Sequence, residues 1–356
     1  MNKKIYIVRR SLDFDGGAER ALLAYIHSLE KQFDICLVSQ KWPKEMFTPW
    51  EKIKIPLKGL TRVSKYKSFV SGVIQNLRGK KAEIYSLELI PGSTVLRLGD
   101  GLHSSWLDIQ AISQWKRNFS FFHKLKLRYE KESLLDKRLK KVIVNSQMVG
   151  DEVRGRYGIS EEKILLIRNI VRREFIESNI NSTPPKHTML FVGSGWHRKG
   201  LALALETLSF LPDEWKLLVV GKDKSSSKYQ KIVKRLGLQE RVTFLGRIKV
   251  TPHIYQRATL LIHPALYEPF PNVATEALSQ GVPVVSSVNS GTSDFEREAG
   301  VWTVKDFLAA SWRDAVLEAA NIDMEGREII RDHICQFNEE YLRKKLEELN
   351  NSLNYI

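Results

Sequence analysis

The chain repeats one pattern twice, and that repetition limits what it can fold into. Short apolar runs alternate with amphipathic stretches: KIYIVR (4–9), DICLVS (34–39), EIYSLEL (83–89), TVLRLG (94–99), KVIVNS (141–146) and KILLIRN (163–169). A polar break follows, VRREFIESNINSTPPKH (171–187), with two adjacent prolines. Then the rhythm restarts with TMLFVGSG, KLLVVGK, RVTFLG, TLLIHPA and VPVVSSV, separated by helical patterns such as LALALETLSFL. Apolar runs without strict alternation suit strands buried on both faces, and the helices between them supply the cover. The expected class is α/β with parallel sheets. A chain of 356 residues exceeds one ordinary core, and the proline-marked break is the natural linker. Two Rossmann-like domains facing across a cleft are therefore predicted, divided near residue 170, with the ligand in the cleft. From Asp306 onward the pattern reads as helix throughout.

Loops at the C-terminal ends of the predicted strands carry the candidate chemistry. After the first strand, DFDGGAER places Gly16 and Gly17 ahead of a helix, where bare backbone amides attract anions. The plain alternative is a tight βα turn, and the GxGxxG dinucleotide fingerprint is absent. In the second half, GSGWHRKG brings Arg198 and Lys199 to a helix start. A guanidinium fork beside a point charge suits a diphosphate, against the alternative of a solvated basic turn. Further on, EPFPNVATE sets Glu268 and Glu276 eight positions apart. Pro269 and Pro271 keep Glu268 out of the helix that carries Glu276, and Gly281 closes that helix. The first-turn amides of Asn272, Val273 and Ala274 are predicted to be open to an anion, with each carboxylate accepting sugar hydroxyls beside it. An acidic first turn favoured by the helix dipole explains Glu276 but not Glu268. A paired-carboxylate hydrolase is a further alternative. In the first half, Asp100 and His103 flank Gly101 at a strand end, either as a base or hydroxyl-contacting pair or as a capped turn.

The formal net charge of +15 calls for an anionic partner. Residues 115–141 hold ten basic side chains against three acidic ones, a net +7, interleaved with aromatics. A basic, aromatic helical segment suits an anionic lipid surface; a solvated basic helix and a nucleic-acid site are the alternatives, the latter without any recognised motif. The two cysteines, Cys36 and Cys335, form no CxxC pair, so reduced thiols are expected and zinc is not. MNKKIYIVRR reads as a first strand rather than a signal peptide, and no apolar run is long enough to span a bilayer.

These motifs resemble one family. HPALYEPFPNVATEALSQGVPVVSS is similar to the E-x7-E region of retaining GT-B glycosyltransferases of family 4. VGSGWHRKGLALALETL is similar to their diphosphate loop, and VGKD, FLGR and LLIHPA follow in the same order. Within the family the likeness is to lipopolysaccharide core glycosyltransferases of the glucosyltransferase I kind, helped by the Gly-Gly loop and IPGSTVLRLGDG. The resemblance implies a GT-B fold whose last helix, about 336–356, returns to an N-terminal acceptor domain of residues 1–170, with 171–335 binding the nucleotide-sugar. It implies retaining transfer of a hexose from a UDP-sugar without a metal or other cofactor. Glu276 would hold ribose hydroxyls, and Glu268, with Pro271 and the amides of Phe270, Asn272 and Val273, the hexose and diphosphate. Arg198 and Lys199 would neutralise the leaving diphosphate, which Gly16 and Gly17 also approach. Asp100 and His103 would lie near the reacting carbon or the acceptor. The acceptor would be a lipid-linked oligosaccharide of the lipopolysaccharide or lipooligosaccharide core, reached at the cytoplasmic face of the inner membrane through residues 115–141, with no nucleic acid. A GT-B sugar-nucleotide epimerase, a nucleic-acid-binding protein and an inactive membrane scaffold are the rival readings. Two departures stand out: Pro-Phe-Pro-Asn replaces the family's glycine-rich link between the glutamates, and the surroundings of His103 differ from the family's usual histidine motif.

Overall fold

Buried aliphatic runs become strands because, in a parallel sheet covered on both faces, nearly every side chain is withdrawn from water. Val8, Val38, Val95 and Val142 are fully buried in one sheet, and Leu190, Leu217, Leu261 and Val284 in the other. The protein is described here by a computed structural model covering residues 3–12, 22–23, 25–27, 29–30, 33–42, 49–110, 120–180, 185–295 and 297–354. The chain divides into two compact units, one of residues 1–169 with 339–356 and the other of residues 170–338.

The first unit holds seven strands: β1 (Lys3–Val8), β2 (Phe33–Ser39), β3 (Glu51–Lys54), β4 (Glu83–Ser86), β5 (Val95–Leu98), β6 (Lys141–Val144) and β7 (Ile164–Leu166). Their order is β3-β2-β1-β4-β5-β6-β7, and every pairing is parallel. β1 lies between β2 and β4, with Ile5 opposite both Ile35 and Glu83. Tyr66, Phe69, Val70, Val73 and Leu77 on the helix Arg62–Leu77 pack over this sheet. The closing helix Glu339–Asn354 belongs to the same unit, where the Tyr341 hydroxyl accepts from the Arg168 amide.

The second unit holds β8 (Thr188–Val192), β9 (Lys216–Val220), β10 (Val242–Gly246), β11 (Leu260–His263), β12 (Val284–Ser287) and β13 (Val301–Val304). Their order is β10-β9-β8-β11-β12-β13, again all parallel. Trp196, Trp215, Trp302 and Trp312 anchor its core. In each unit the strand order reverses beside the first strand, the point where open α/β sheets present loops to ligands. Both are Rossmann-like, as the double βα rhythm predicts.

Four expectations change. Only Phe121–Leu134 of the basic segment is helical among its described residues, and 135–140 runs as turn and loop into β6. Tyr129 and Glu130 of that helix face inward, so it is not basic all round. The C-terminal tail is three helices, Ala309–Ala319, Met324–Cys335 and Glu339–Asn354, because Asp323 caps Gly326 N at 2.9 Å and starts the second afresh. The polar break 171–187 contains a helical turn, Arg173–Ile176, whose Phe175 is buried. Gly16 and Gly17, Lys116 and Arg117 lie outside the described residues. No helix among the described residues is long and apolar enough to cross a membrane. Cys36 and Cys335 are unpaired.

Candidate functional site

The site in the second unit begins where β8 stops. Gly193, at φ 137°, turns the chain away, and a Cβ there would sit 2.7 Å from the Lys199 side chain. The loop is then fastened from outside: the Asp223 carboxylate accepts Trp196 N at 3.0 Å and Ser225 N at 2.8 Å. Those amides, Ser225 first, hold the Asp223 pKa below its ordinary value. Trp196 Nε1 closes the turn onto Gly193 O at 3.0 Å, with its ring between Tyr229 and Phe244. Gly200, at φ 78°, lets the loop meet β11's exit, where any Cβ would lie 1.9 Å from Pro264 O. Arg198 and Lys199 are thereby fixed in place before the helix Leu201–Ser209 begins.

The second wall follows β11. Leu266 N donates to Arg198 O at 2.8 Å, tying the two loops together. Glu268 is held through its backbone, donating to Asn289 O at 3.1 Å and accepting from Gly291 N at 2.9 Å. Its side chain meets both cations at one oxygen: Arg198 NH1 is 2.6 Å from Oε2 and Lys199 Nζ is 3.5 Å from the same atom. Burial alone would raise the Glu268 pKa, but Lys199 and then Arg198 hold it below the usual carboxylate value. Burial lowers Lys199, against the pull of Glu268 and with the push of Arg198. His263, at the end of β11 and only 1% exposed, is driven to about 3 by burial and then by Lys199, so it is neutral. Its Nε2 has no hydrogen-bond partner. Two cations thus share one carboxylate, and an excess of one positive charge remains, with Lys199 and Glu268 largely buried and the Arg198 side chain 36% exposed.

Pro269, Phe270 and Pro271 carry the chain to the helix Asn272–Leu278, which Pro271 precedes as a cap residue that supplies no side-chain bond. Phe270 is buried against Phe295. Of the amides expected to be open, Ala274 N is not, since it closes the first turn onto Pro271 O at 3.0 Å. Asn272 and Val273 are half-buried. Glu276, 9% exposed, accepts from Arg172 Nε at 3.0 Å on one oxygen and from Tyr255 OH at 2.6 Å on the other. Gly281, at φ 66°, ends this segment as expected. The carbonyls just past the helix are satisfied from afar: Arg331 donates to Ser279 O, and Arg327 Nη1 to Gly281 O at 3.1 Å.

In the first unit, Asp100 is exposed just beyond β5, and His103 starts the helix His103–Ile109. The buried Glu130 carboxylate accepts the amides of His103 and Ser104 and the Tyr157 hydroxyl, so it caps this helix. The ring of His103 meets His123, Nε2 to Nδ1 at 3.0 Å, rather than Asp100. Burial, then Lys126 and His123, lowers its pKa to about 4. His103 is neutral at pH 7 and able to take part in a hydroxyl's hydrogen bonding.

The structure therefore brings together Arg198, Lys199 and Glu268, and sets Glu276 in the helix that follows; Asp100 and His103 belong to the other unit. Sequence reasoning missed Arg172, Asp223, Tyr255 and His263. Asp223 stood in the quoted VGKD and His263 in LLIHPA, both at strand ends, and that position was the available signal. Among the described residues no group of three His, Cys, Asp or Glu side chains is placed to hold a metal.

Two family models match: Glycosyl transferases group 1 over residues 172–331 and Glycosyltransferase Family 4 over residues 15–175. The lipopolysaccharide glucosyltransferase WaaG of Escherichia coli K12 is 23% identical over 314 residues, 81% of each chain. A crystal structure of WaaG superposes with a TM-score of 0.80 at 20% identity, covering 97% of this chain and 99% of that one. HepE of Anabaena, solved with UDP and glucose, gives a TM-score of 0.69 at 17% identity over 99% of this chain and all of its own.

Proposed function

The chain belongs to the family 4 glycosyltransferases of GT-B fold, and from that membership we propose that it transfers a hexose from a UDP-sugar, with retention, to a lipopolysaccharide or lipooligosaccharide core acceptor. The observation that carries this reading is the charge excess: Arg198 and Lys199 both point at Oε2 of Glu268. A cradle with one more cation than anion favours a ligand that brings negative charge, and a low-dielectric setting strengthens that preference. A diphosphate entering there competes with Glu268 for the two cations. The carboxylate it displaces then turns to hydroxyl donors, which a hexose supplies.

Glu276 takes the ribose. Both of its oxygens are already oriented, by Arg172 and Tyr255. A carboxylate oxygen accepts more than one hydrogen bond, so ribose hydroxyls add to or replace these donors. As the sugar–phosphate bond breaks, charge builds on the diphosphate beside Arg198 and Lys199, which are preorganised to stabilise it without a metal. The acceptor hydroxyl attacks from the same face, so no enzyme nucleophile is required. Asp100 and His103 contact the reacting sugar or the acceptor. The bound UDP and glucose of HepE and the names of WaaG and of WaaB, a lipopolysaccharide outer core galactosyltransferase, support the donor and acceptor classes.

The decisive experiment is a panel of UDP-sugars assayed for UDP release with and without core oligosaccharide. Acceptor-dependent release is expected, and Glu276→Ala should weaken UDP binding about tenfold or more, since even one hydrogen bond to a charged group contributes about 1.5–3 kcal/mol. UDP affinity unchanged by Glu276→Ala would remove the ribose assignment. Epimerised sugar without transfer would replace the reaction.

The enzyme works at the cytoplasmic face of the membrane. On the helix Phe121–Leu134 the exposed Phe121 precedes Lys124, Lys126 and Arg128. Each cation held near an anionic surface contributes on the order of 1 kcal/mol. Reversing the charge of Lys124, Lys126 and Arg128 together should abolish co-sedimentation with anionic vesicles; undiminished sedimentation would contradict this docking mode.

A further inference from the structure

The basic residues that sequence gathers into 115–141 part company in the fold. Lys124, Lys126, Arg128 and Lys131 lie on the helix Phe121–Leu134, whereas Lys137, Arg138, Lys140 and Lys141 fall beyond its end. The second group is held by a built turn. Asp136 Oδ1 accepts Arg138 N at 2.8 Å, Leu139 N returns to Asp136 O at 3.0 Å, and the Leu139 side chain is buried as an anchor. The amides of Lys140 and Lys141 then both donate to Thr94 O, at 2.8 and 3.2 Å. With Asp136 engaged by its own turn, Lys137 and Arg138 project outward.

These side chains line a cavity of about 710 Å³. Its other walls come from the starts of strands: Lys4 in β1, Glu83 in β4 and Lys163 just before β7. The cavity therefore sits at the N-terminal edge of the seven-stranded sheet. Asp100 and His103 occupy the opposite edge, a strand length of roughly 13–20 Å away at about 3.3 Å per residue. Ligands of open α/β sheets bind at the C-terminal edge, so the fold gives no reason for a charged cavity here.

The charge is fixed in place but not cancelled. Seven basic side chains line the cavity against two acids, Glu83 and Glu162. Lys140 is paired with Glu83 at 2.8 Å, and Lys4 with Glu51 outside the cavity. Lys141 Nζ donates instead to the carbonyl of Glu162 at 2.6 Å, and Lys163 Nζ to the carbonyl of Leu139 at 3.0 Å. A carbonyl orients an ammonium without neutralising it. Setting the Glu162 carboxylate against one remaining cation still leaves an excess of four. A volume of this size falls in the range of small-molecule sites, and clustered, oriented ammonium groups are suited to phosphate oxygens.

We propose that this cavity is a second anion site, which binds a phosphomonoester or diphosphate group carried by a sugar or by a lipid headgroup. It is independent of the donor reading, since none of its residues belongs to the second unit.

The test uses the full chain and inorganic pyrophosphate as probe, followed by titration calorimetry. Lys81→Glu/Lys137→Glu changes two exposed cavity residues, and Arg198→Ala/Lys199→Ala removes the cations of the other candidate site. Pyrophosphate binding should survive in the second variant, through the cavity, and fall about tenfold or more when Lys81→Glu/Lys137→Glu is added to that variant. Circular dichroism and retained UDP binding show that Lys81→Glu/Lys137→Glu is folded. Pyrophosphate affinity left unchanged when Lys81→Glu/Lys137→Glu is added to the Arg198→Ala/Lys199→Ala protein, or no binding to the Arg198→Ala/Lys199→Ala protein at about 10 mM, would overturn the proposal. The source is then separated with glucose 1-phosphate and with vesicles containing phosphatidic acid or phosphatidylglycerol. Loss of glucose 1-phosphate binding in the cavity variant assigns a phosphosugar. Loss of the preference for phosphatidic acid, with phosphatidylglycerol unaffected, assigns a lipid phosphomonoester.

Discussion

Lys199 sits between a carboxylate and a guanidinium, and burial has already lowered its pKa. On the proposed donor reading, the cationic form is the one that holds phosphate. UDP affinity should therefore decline with rising pH sooner than an ordinary lysine, which titrates near 10.4, would allow. Lys199→Arg keeps its charge throughout that range and should flatten the profile. Calorimetric titration of UDP from pH 7 to 10 checks this, and equal slopes for the two proteins would rule it out. Asp223 illustrates a different residue-level role: it touches no other side chain of the site, yet it secures the Trp196 amide and so the loop that presents Arg198 and Lys199. Such side-chain pairings were the least legible part of the sequence. Arg172 is 104 positions from Glu276, and Arg198 is 70 from Glu268. Composition and spacing identified the charged groups, but only loop geometry decides which charge meets which.

At the scale of elements, burial determined what could be read. The strands whose residues are all withdrawn from water announce themselves as apolar runs, and their positions agree with expectation to within a few residues. β3 gives no such signal: EKIK is an edge strand with three exposed residues. β13 is only four residues, VWTV, between loops. The helix Arg62–Leu77 did carry the i, i+3, i+4 spacing in Tyr66, Phe69, Val70 and Val73, but the basic and polar residues between them masked it. The short helix Asn272–Leu278 depends on a neighbour. Arg331, on the helix Met324–Cys335, bonds the carbonyls of Ile176 and Ser178 at 2.5 and 2.7 Å as well as Ser279 O. Arg331→Leu strands these acceptors and should cost about 2–4 kcal/mol. Urea unfolding monitored for the second unit measures it; a loss under about 0.5 kcal/mol would mean that water replaces the guanidinium.

Across the whole molecule, acid should act on both units. His103 in one and His263 in the other have pKa values lowered to about 4 and about 3, whereas an unfolded histidine titrates near 6.5. Between these values the unfolded chain binds more protons, so stability is full above about pH 6.5 and declines as pH falls through that window. Glu268, with its lowered pKa, adds a loss in the same direction only below about pH 4.3. Comparing urea midpoints at pH 7 and 5 isolates the histidines, and His263→Asn should reduce the drop for the second unit; an undiminished drop would place the acid sensitivity elsewhere.

The second unit starts and stops at one place. Val171 N, one residue after the chain enters it, donates to Phe337 O, one residue before the chain leaves, at 2.8 Å. An insert whose ends touch can be removed and another set in its place while the host's cut ends need move little. Residues 170–338 are built as a cassette, so this unit is open to exchange between chains without redesign of its host.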